Sequence, residues 1–145
     1  ADYPAAVVGL GATVVTDRRE IAGDDFFVDL FETALVEGEL ITAVRFPLPD
    51  KAAYMKFPNP ASRYAIVGVF VSQSNGDVRV AVTGAGPCVF REGAMETALA
   101  ADFSADAVAG ISVSGDDFNN DIHASAEYRA HLVTVMAKRA VIKAG

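Results

Sequence analysis

Hydrophobic and polar residues alternate with a period of two in the first third of the chain. Residues 12–16 (ATVVT) predict a short strand, residues 17–19 a polar turn, and Glu20 with Ile21 a return, so this part favours a small hairpin. Residues 40–46 (LITAVRF) alternate until Pro47 and predict another strand, because proline ends pairing. The first third is therefore predicted to contain paired strands.

The middle of the chain carries a stronger strand pattern. Residues 53–57 predict one strand, and residues 64–72 (YAIVGVFVS) are almost continuously apolar, which is typical of a buried strand. Residues 74–77 (SNGD) predict a hairpin turn, because Asn-Gly readily supplies two positive φ angles. Residues 77–84 then return in alternation, so we expect an antiparallel sheet here.

Helical spacing dominates the last third. Residues 91–101 carry a stripe of Ala94, Met95, Ala98 and Leu99. Ser104 is predicted to cap a short helix that ends at Ala109, and residues 112–120 form a polar loop. A long helix is predicted over 122–141 with Asp121 as its cap, and it carries a stripe at three- and four-residue steps: Tyr128, Leu132, Val135, Met136 and Arg139.

One further helical turn is predicted near the start, where Asp24 and Asp25 precede FFVDLF and suit an Asx cap. Strands therefore come first along the chain and helices afterwards. That order favours the α+β class, in which an antiparallel sheet has helices packed on one side.

Composition narrows the function classes. The 145 residues carry a net charge of −7, and the 12 basic residues are scattered, which excludes a nucleic-acid-binding surface. No apolar run approaches the roughly 20 residues of a transmembrane helix, and the first residues lack the basic region and apolar core expected of a signal peptide. The single cysteine, Cys88, excludes a disulfide framework and a zinc or iron–sulfur cluster on this chain, and it suits a reducing cytoplasm.

Motifs for catalysis or metal binding are weak. GLGATV at 9–14 contains glycines but precedes a strand, so a turn explains it better than a nucleotide fingerprint does. His123 and His131 fall on the predicted last helix about 12 Å apart and cannot share a metal. DDFNND at 116–121 lacks the glycine and glutamate of a calcium loop. We therefore assign no catalytic residue and no metal ligand.

Lys56 is the unusual residue, since it lies inside the apolar run AAYMKF. On a strand it shares a face with Tyr54, while Met55 and Phe57 point to the other side. Its amine either reaches water or binds an anion. Tyr64, just beyond the proline loop at 58–62, brings an aromatic ring to the same neighbourhood. Ordinary rim residues and a ligand-binding role both remain open for this pair.

Three longer segments resemble one family: EGELITAVRFPLP (37–49), KFPNPASRYAIVGVFV (56–71) and DIHASAEYRAHLVTVMAKRAV (121–141). Their sequences are similar to those of the FAD-carrying medium subunit of molybdenum hydroxylases, of the aerobic carbon monoxide dehydrogenase type. The resemblance covers nearly the whole chain. It implies a C-terminal domain with a three-stranded antiparallel sheet and a small helical bundle.

The resemblance also implies a cofactor site. Asp2 matches an aspartate that contacts the flavin, Ile41 an aliphatic residue beside the isoalloxazine, Lys56 a flavin-site lysine, and Tyr64 an aromatic residue that covers one flavin face. A cation near the pyrimidine end of a flavin favours its reduced anion, so these residue types suit that role. The family's glycine-rich phosphate loops have no counterpart in the sequence, so we expect FAD to bind this chain weakly.

The resemblance further implies an organisation. Residues 1–48 are expected to be the remnant of an FAD-binding domain and residues 49–145 the C-terminal domain, the whole being the C-terminal half of a medium subunit. The expected partners are a large subunit with the molybdenum cofactor and a small subunit with two [2Fe-2S] clusters, in a cytoplasmic heterohexamer of two heterotrimers. The function implied is electron transfer from those clusters to FAD and an external acceptor, and the isolated chain is expected to be inactive.

Two rival hypotheses remain. The region 50–145 could serve mainly as an assembly module, docking other subunits through the loop at 112–121 and the last helix. The chain could also be an unrelated small-molecule-binding domain, in which case Lys56 and Tyr64 would be rim residues of another pocket.

Overall fold

The computed structural model describes all of residues 1–145. The helices are α1 (Asp2–Gly9), α2 (Gly23–Phe26), α3 (Gly93–Ala101), α4 (Ala105–Ala109) and α5 (Ala126–Ala144). The strands are β1 (Thr13–Thr16), β2 (Glu20–Ala22), β3 (Phe27–Asp29), β4 (Glu32–Thr33), β5 (Ile41–Arg45), β6 (Lys51–Pro58), β7 (Ala65–Ser74), β8 (Asp77–Thr83) and β9 (Phe90–Arg91).

The main sheet has the order β6-β7-β8-β9, and every neighbouring pair is antiparallel. Asn75 (φ 50°) and Gly76 (φ 85°) form the turn between β7 and β8, which confirms the predicted hairpin. The α+β class is confirmed. The sheet exceeds the expected three strands by the two-residue β9, which follows the break at residues 84–88.

One face of this sheet carries the main core. Alternate residues of β7 and β8 point to it and are buried against α3, α4 and α5; they include Val67, Val69, Val71, Val78, Val80 and Val82. Met95 and Leu99 of the predicted stripe on α3 are fully buried there, while Ala94 is exposed. Burial of this apolar surface is the main source of stability.

The opposite face of the sheet is covered by α1, which the sequence pattern did not predict. Three side chains of the sheet donate hydrogen bonds to its backbone: Ser72 Oγ to the carbonyl of Gly9 at 2.6 Å, Arg79 Nε to Val8 at 2.9 Å, and Thr83 Oγ1 to Ala1 at 3.0 Å. The sheet is therefore sandwiched between α1 and the other helices, and α1 is held along its length.

A smaller sheet has the order β2-β1-β5, and both pairs are antiparallel. The predicted hairpin over β1 and β2 and the predicted strand β5 are confirmed. Val14 and Ile21 of this sheet pack against Val7 and Phe26, whereas every residue of β5 is exposed. A two-stranded hairpin, β3 with β4, follows α2.

The predicted start of the last helix was wrong. α5 begins at Ala126, and Ser125 caps it by accepting a hydrogen bond from the Tyr128 backbone N–H at 3.1 Å. Asp121 instead accepts from the backbone N–H groups of His123 and Ala124, at 2.9 and 3.1 Å. This local turn satisfies Asp121 before the helix begins, so His123 lies outside the helix.

Two other details of the helices differ from the predictions. The buried face of α5 is shifted from the predicted stripe: it includes Arg129, Leu132, Val133 and Met136, while Tyr128 and Arg139 are exposed. The α2 turn has no side-chain cap, and extended structure resumes at Phe27. None of the helices combines the length and apolarity that crossing a bilayer requires.

Candidate functional site

Asp2 lies in the first turn of α1 and bridges two side chains of β6. Its Oδ2 accepts a hydrogen bond from Lys56 Nζ at 2.7 Å, and its Oδ1 accepts one from the Tyr54 hydroxyl at 2.7 Å. The carboxylate also suits the positive end of the helix dipole. Lys56 and Tyr54 share the face of β6 turned toward α1, and Met55 and Phe57 pack in the main core, as the alternation predicted.

Lys56 has one further partner, the carbonyl of Arg63, to which its Nζ donates at 3.0 Å. An ammonium group has three protons, and two of them are used in these contacts. The side chain is 29% exposed. One N–H of Lys56 is therefore left for a ligand or for water.

The loop between β6 and β7 sets the position of Arg63 and Tyr64. Asn59 is buried, and its side-chain oxygen accepts hydrogen bonds from the backbone N–H groups of Ala61 and Ser62. Its own N–H donates to the carbonyl of Tyr64 at 2.7 Å, and Arg63 adopts a positive φ of 65°. Tyr64 is left 70% exposed, and it directly follows the residue whose carbonyl Lys56 contacts.

Electrostatics fix the charge states of this group. Partial burial acts to raise the pKa of Asp2, but the hydrogen bonds from Lys56 and Tyr54 outweigh it and hold that pKa below its ordinary value. Burial, followed by the hydrogen bond to Asp2, raises the pKa of Tyr54. At neutral pH the group is therefore a carboxylate, an ammonium and a neutral phenol.

Tyr54 contributes more to the site than the sequence indicated. Its ring stacks on that of Phe70, with centroids 6.3 Å apart and planes at 28°. A Cβ at Gly68 would lie 2.8 Å from Tyr54 Cζ, so only glycine leaves room for the ring across β7. The period-2 pattern gave its face, but its contact with Asp2 joins residues 52 positions apart.

Ile41 lies apart from this group. It belongs to β5, where it pairs with Thr16, and its side chain is 47% exposed. No hydrogen bond joins it to Asp2 or Lys56. The structure thus brings together Asp2, Lys56 and the segment that ends in Tyr64, and it leaves Ile41 on the other sheet.

The surface beside Asp2 is a shallow, mainly apolar cavity of about 180 Å³, lined by Asp2, Tyr3, Ala6, Tyr54 and Phe70. A larger cavity of about 420 Å³ lies between α5 and residues 109–113, far along the chain from these residues. The chain contains no cluster of three or more His, Cys, Asp or Glu that could hold a metal. The Asp2 group suits a planar polar ligand, since it offers a free N–H donor, and an exposed aromatic residue directly follows Arg63.

Comparison with known families adds to this geometry. A family model described as the CO dehydrogenase flavoprotein C-terminal domain matches residues 52–144. The chain is 32% identical to the nicotine 6-hydroxylase medium subunit of Paenarthrobacter nicotinovorans, over 99% of this chain and 56% of that protein. It is 27% identical to the carbon monoxide dehydrogenase medium chain of Hydrogenophaga pseudoflava, over 97% of this chain and 54% of that protein.

Solved structures point to the same family as the sequence comparisons. The reconstituted CO dehydrogenase from Oligotropha carboxidovorans has a chain that matches with a TM-score of 0.76 and 26% identity, over 97% of this chain and 55% of that one. The chain therefore spans about half the length of the curated relatives that it matches. These matches are inconsistent with the hypothesis of an unrelated small-molecule-binding domain.

Proposed function

Because this chain belongs to the family of CO dehydrogenase flavoprotein C-terminal domains, we propose that it forms one wall of an FAD site in the medium subunit of a molybdenum hydroxylase. The geometry of Lys56 is the main support for this proposal. Its ammonium is held by Asp2 and by the carbonyl of Arg63 with one proton unused, and Arg63 is followed directly by the exposed Tyr64.

The residues present fit the ring system of a flavin better than its phosphates. Tyr64 offers a flat apolar surface for stacking, and Lys56 offers a donor for a carbonyl or nitrogen at the edge of a ring. For a diphosphate we find no matching loop: in GLGATV, Gly9 ends α1 and packs on Phe70, and Gly11 (φ 62°) lies against the Arg79 guanidinium. We therefore expect flavin contact without strong phosphate binding.

The bound FAD would supply electron transfer between a donor and an external acceptor. The role of this chain is to bind the FAD and to tune its reduction. Lys56 places a positive charge where added negative charge is stabilised, and Asp2 keeps that ammonium in place. Tyr64 excludes water from one face of the ring. Ile41 joins this wall as an apolar contact from β5, a role that rests on its exposed position and on the family resemblance.

The relatives support a wider setting for this proposal. We propose residues 1–48 as part of an FAD-binding domain and residues 49–145 as the C-terminal domain. The partners are a large subunit with the molybdenum cofactor and a small subunit with [2Fe-2S] clusters, in a heterohexamer of two heterotrimers in the cytoplasm. In this setting the chain is part of an oxidoreductase, and by itself it is inactive.

Fluorescence titration with FAD tests the proposal. Weak, saturable quenching is expected, and Lys56→Met or Tyr64→Ala should weaken binding about tenfold, because each removes a contact to the ring. Lys143→Met, at an exposed lysine of α5, is the matched control and should bind as the unaltered chain does. Submicromolar affinity, or variants that bind unchanged, would contradict the proposal.

A second candidate is an assembly module of the same complex. It is favoured by Ile122, whose side chain is 95% exposed at the end of the polar loop before α5. The two functions separate in the assembled complex. If Lys56→Met abolishes flavin reduction while the subunits remain associated, the flavin function holds; if Ile122→Asp alone dissociates them, docking is a separate property of this surface.

A further inference from the structure

Tyr54 and Lys56 are held by the two oxygens of a single carboxylate. The Tyr54 hydroxyl donates to Oδ1 of Asp2 and the Lys56 ammonium to Oδ2, both at 2.7 Å. A carboxylate held at one oxygen can still turn about its side-chain torsions, whereas one held at both is fixed. The orientation of Asp2 therefore depends on Tyr54 as well as on Lys56.

Tyr54 is itself fixed by packing. Its ring lies between the stacked Phe70 and the space above Gly68, and Gly68 is the cross-strand partner of Lys56. The phenol oxygen is thus delivered to Asp2 from a rigid sheet. Lys56 has four flexible side-chain torsions, so its ammonium is placed only by the groups that bind it.

We propose that Tyr54 is a positioning residue for the flavin wall, which is the proposed FAD-binding surface that includes Asp2, Lys56 and Tyr64. Through Asp2, Tyr54 holds the Lys56 ammonium at the rim beside Tyr64. The inference rests on the proposed function for its ligand, and it adds a residue that no resemblance assigned. It predicts that the phenol oxygen matters, and that the ring of Tyr54 alone is insufficient.

The alternative is that Tyr54 only packs on Phe70. Tyr54→Phe distinguishes the two, since it keeps the ring and removes the donor. Tyr128→Phe is the matched control, because Tyr128 is 42% exposed on α5 and its ring packs edge-on against Phe57, away from Asp2. Unfolding by urea verifies that both variants are folded before any other measurement.

The first readout needs no ligand. The carboxyl carbon of Asp2 is followed by NMR against pH in the full chain; the charged groups around it are Lys56 and the amino terminus, and its third neighbour is the neutral phenol of Tyr54. Tyr54→Phe should move the titration midpoint of Asp2 upward, while Tyr128→Phe should leave it unchanged. A purely packing role for Tyr54 predicts no movement in either variant.

The second readout is binding of flavin mononucleotide, followed by amide NMR shifts. Tyr54→Phe should weaken binding about tenfold, and Tyr128→Phe should not change it. An unmoved Asp2 midpoint overturns the positioning role. A moved midpoint with unchanged binding overturns its relevance to the ligand. If the unaltered chain shows no saturable shifts, the proposed flavin function fails and the ligand-facing part of this inference fails with it. The Asp2 titration still decides whether the Tyr54 hydroxyl holds Asp2, the carboxylate that binds Lys56.

Discussion

Arg129 of α5 donates from Nη2 to Asp121 Oδ2 at 2.8 Å while its side chain is only 5% exposed. Its Nη1 donates to the carbonyls of Ile66 and Gly84, at 2.7 and 3.0 Å. One guanidinium therefore connects α5, the start of β7, the end of β8 and the loop before the helix. Arg129 Nε is buried without a partner. The hydrogen bonds of Nη1 and Nη2 therefore offset the free-energy cost of burying this charge.

Arg129→Met should destabilise the chain by about 3 kcal/mol, since it keeps the apolar stem but removes the donor to the carbonyls of Ile66 and Gly84 and the ion pair with Asp121. Urea unfolding followed by circular dichroism measures this. Arg139→Met, at an exposed position on the same helix, is the control and should change stability by less than about 0.5 kcal/mol. Equal effects of the two substitutions would show that the Arg129 contacts are unimportant.

Glu39 predicts a dependence of stability on pH. Two hydrogen bonds from Arg19, one from the Val36 N–H and one from Thr16 lower its pKa from 4.5 to about 2. Because the pKa is lower in the folded chain, the stabilisation is complete above about 4.5 and is lost as the pH falls toward about 2. Glu39→Gln should be less stable at neutral pH, and the difference should shrink in acid.

Free energies of unfolding of the two proteins, measured across that range, test this. Asp2 and Asp121 also have lowered pKa values, and their contributions are present in both proteins. The difference between the proteins isolates Glu39. A difference that stays constant with pH would contradict the assigned charge state.

Gly68→Ala should disturb the flavin wall by displacing the Tyr54 ring that packs over Gly68. The new methyl group would collide with the Tyr54 ring, and overpacking of this kind costs about 2 kcal/mol. Gly93→Ala, where nothing lies within 4 Å, is the control and should be neutral or slightly stabilising. Combining Gly68→Ala with Tyr54→Ala removes the collision, so the double variant should be more stable than the sum of the single effects predicts. Strict additivity would show that the two positions do not collide.

Cys88 should react slowly with alkylating reagents. Burial, with a smaller contribution from the Asp29 carboxylate, raises the pKa of its thiol, so little reactive thiolate is present near neutral pH. Iodoacetamide labelling followed by mass spectrometry should be slower than for an unstructured cysteine peptide. Asp29→Asn should increase the rate modestly. Labelling as fast as in the peptide would mean that Cys88 is not shielded.

Six of the nine strands were predictable because their patterns are local, whereas the short strands β3, β4 and β9 were not predicted. The alternation in β6 placed Lys56 with Tyr54, and Asn75-Gly76 marked the turn that follows β7. The start of α5 was not predictable from the sequence, because Asp121 and Ser125 are both good caps by residue type. Only the structure shows that Asp121 is already engaged by the turn at 121–124 and by Arg129.

The site itself depends on pairs that lie far apart in sequence. Asp2 and Lys56 are 54 positions apart, and neither spacing nor periodicity connects them. Their proximity follows from α1 crossing the second face of the sheet, which requires Gly9 to fit against Phe70. The family resemblance selected Asp2 and Lys56 as residues of one site, whereas it gave no indication of Tyr54. The assignment of Asp2, Ile41, Lys56 and Tyr64 to flavin contact stays a prediction.

The most direct test of the flavin wall is an amide NMR titration of the full chain with flavin mononucleotide, with ADP as the phosphate-bearing control. The account predicts saturable shifts at Asp2, Lys56 and Tyr64 with the flavin and none there with ADP, because the ring and not the phosphate is bound. Weak affinity does not hide such a pattern. Shifts confined to the cavity between α5 and residues 109–113, or the same shifts with both ligands, would contradict it.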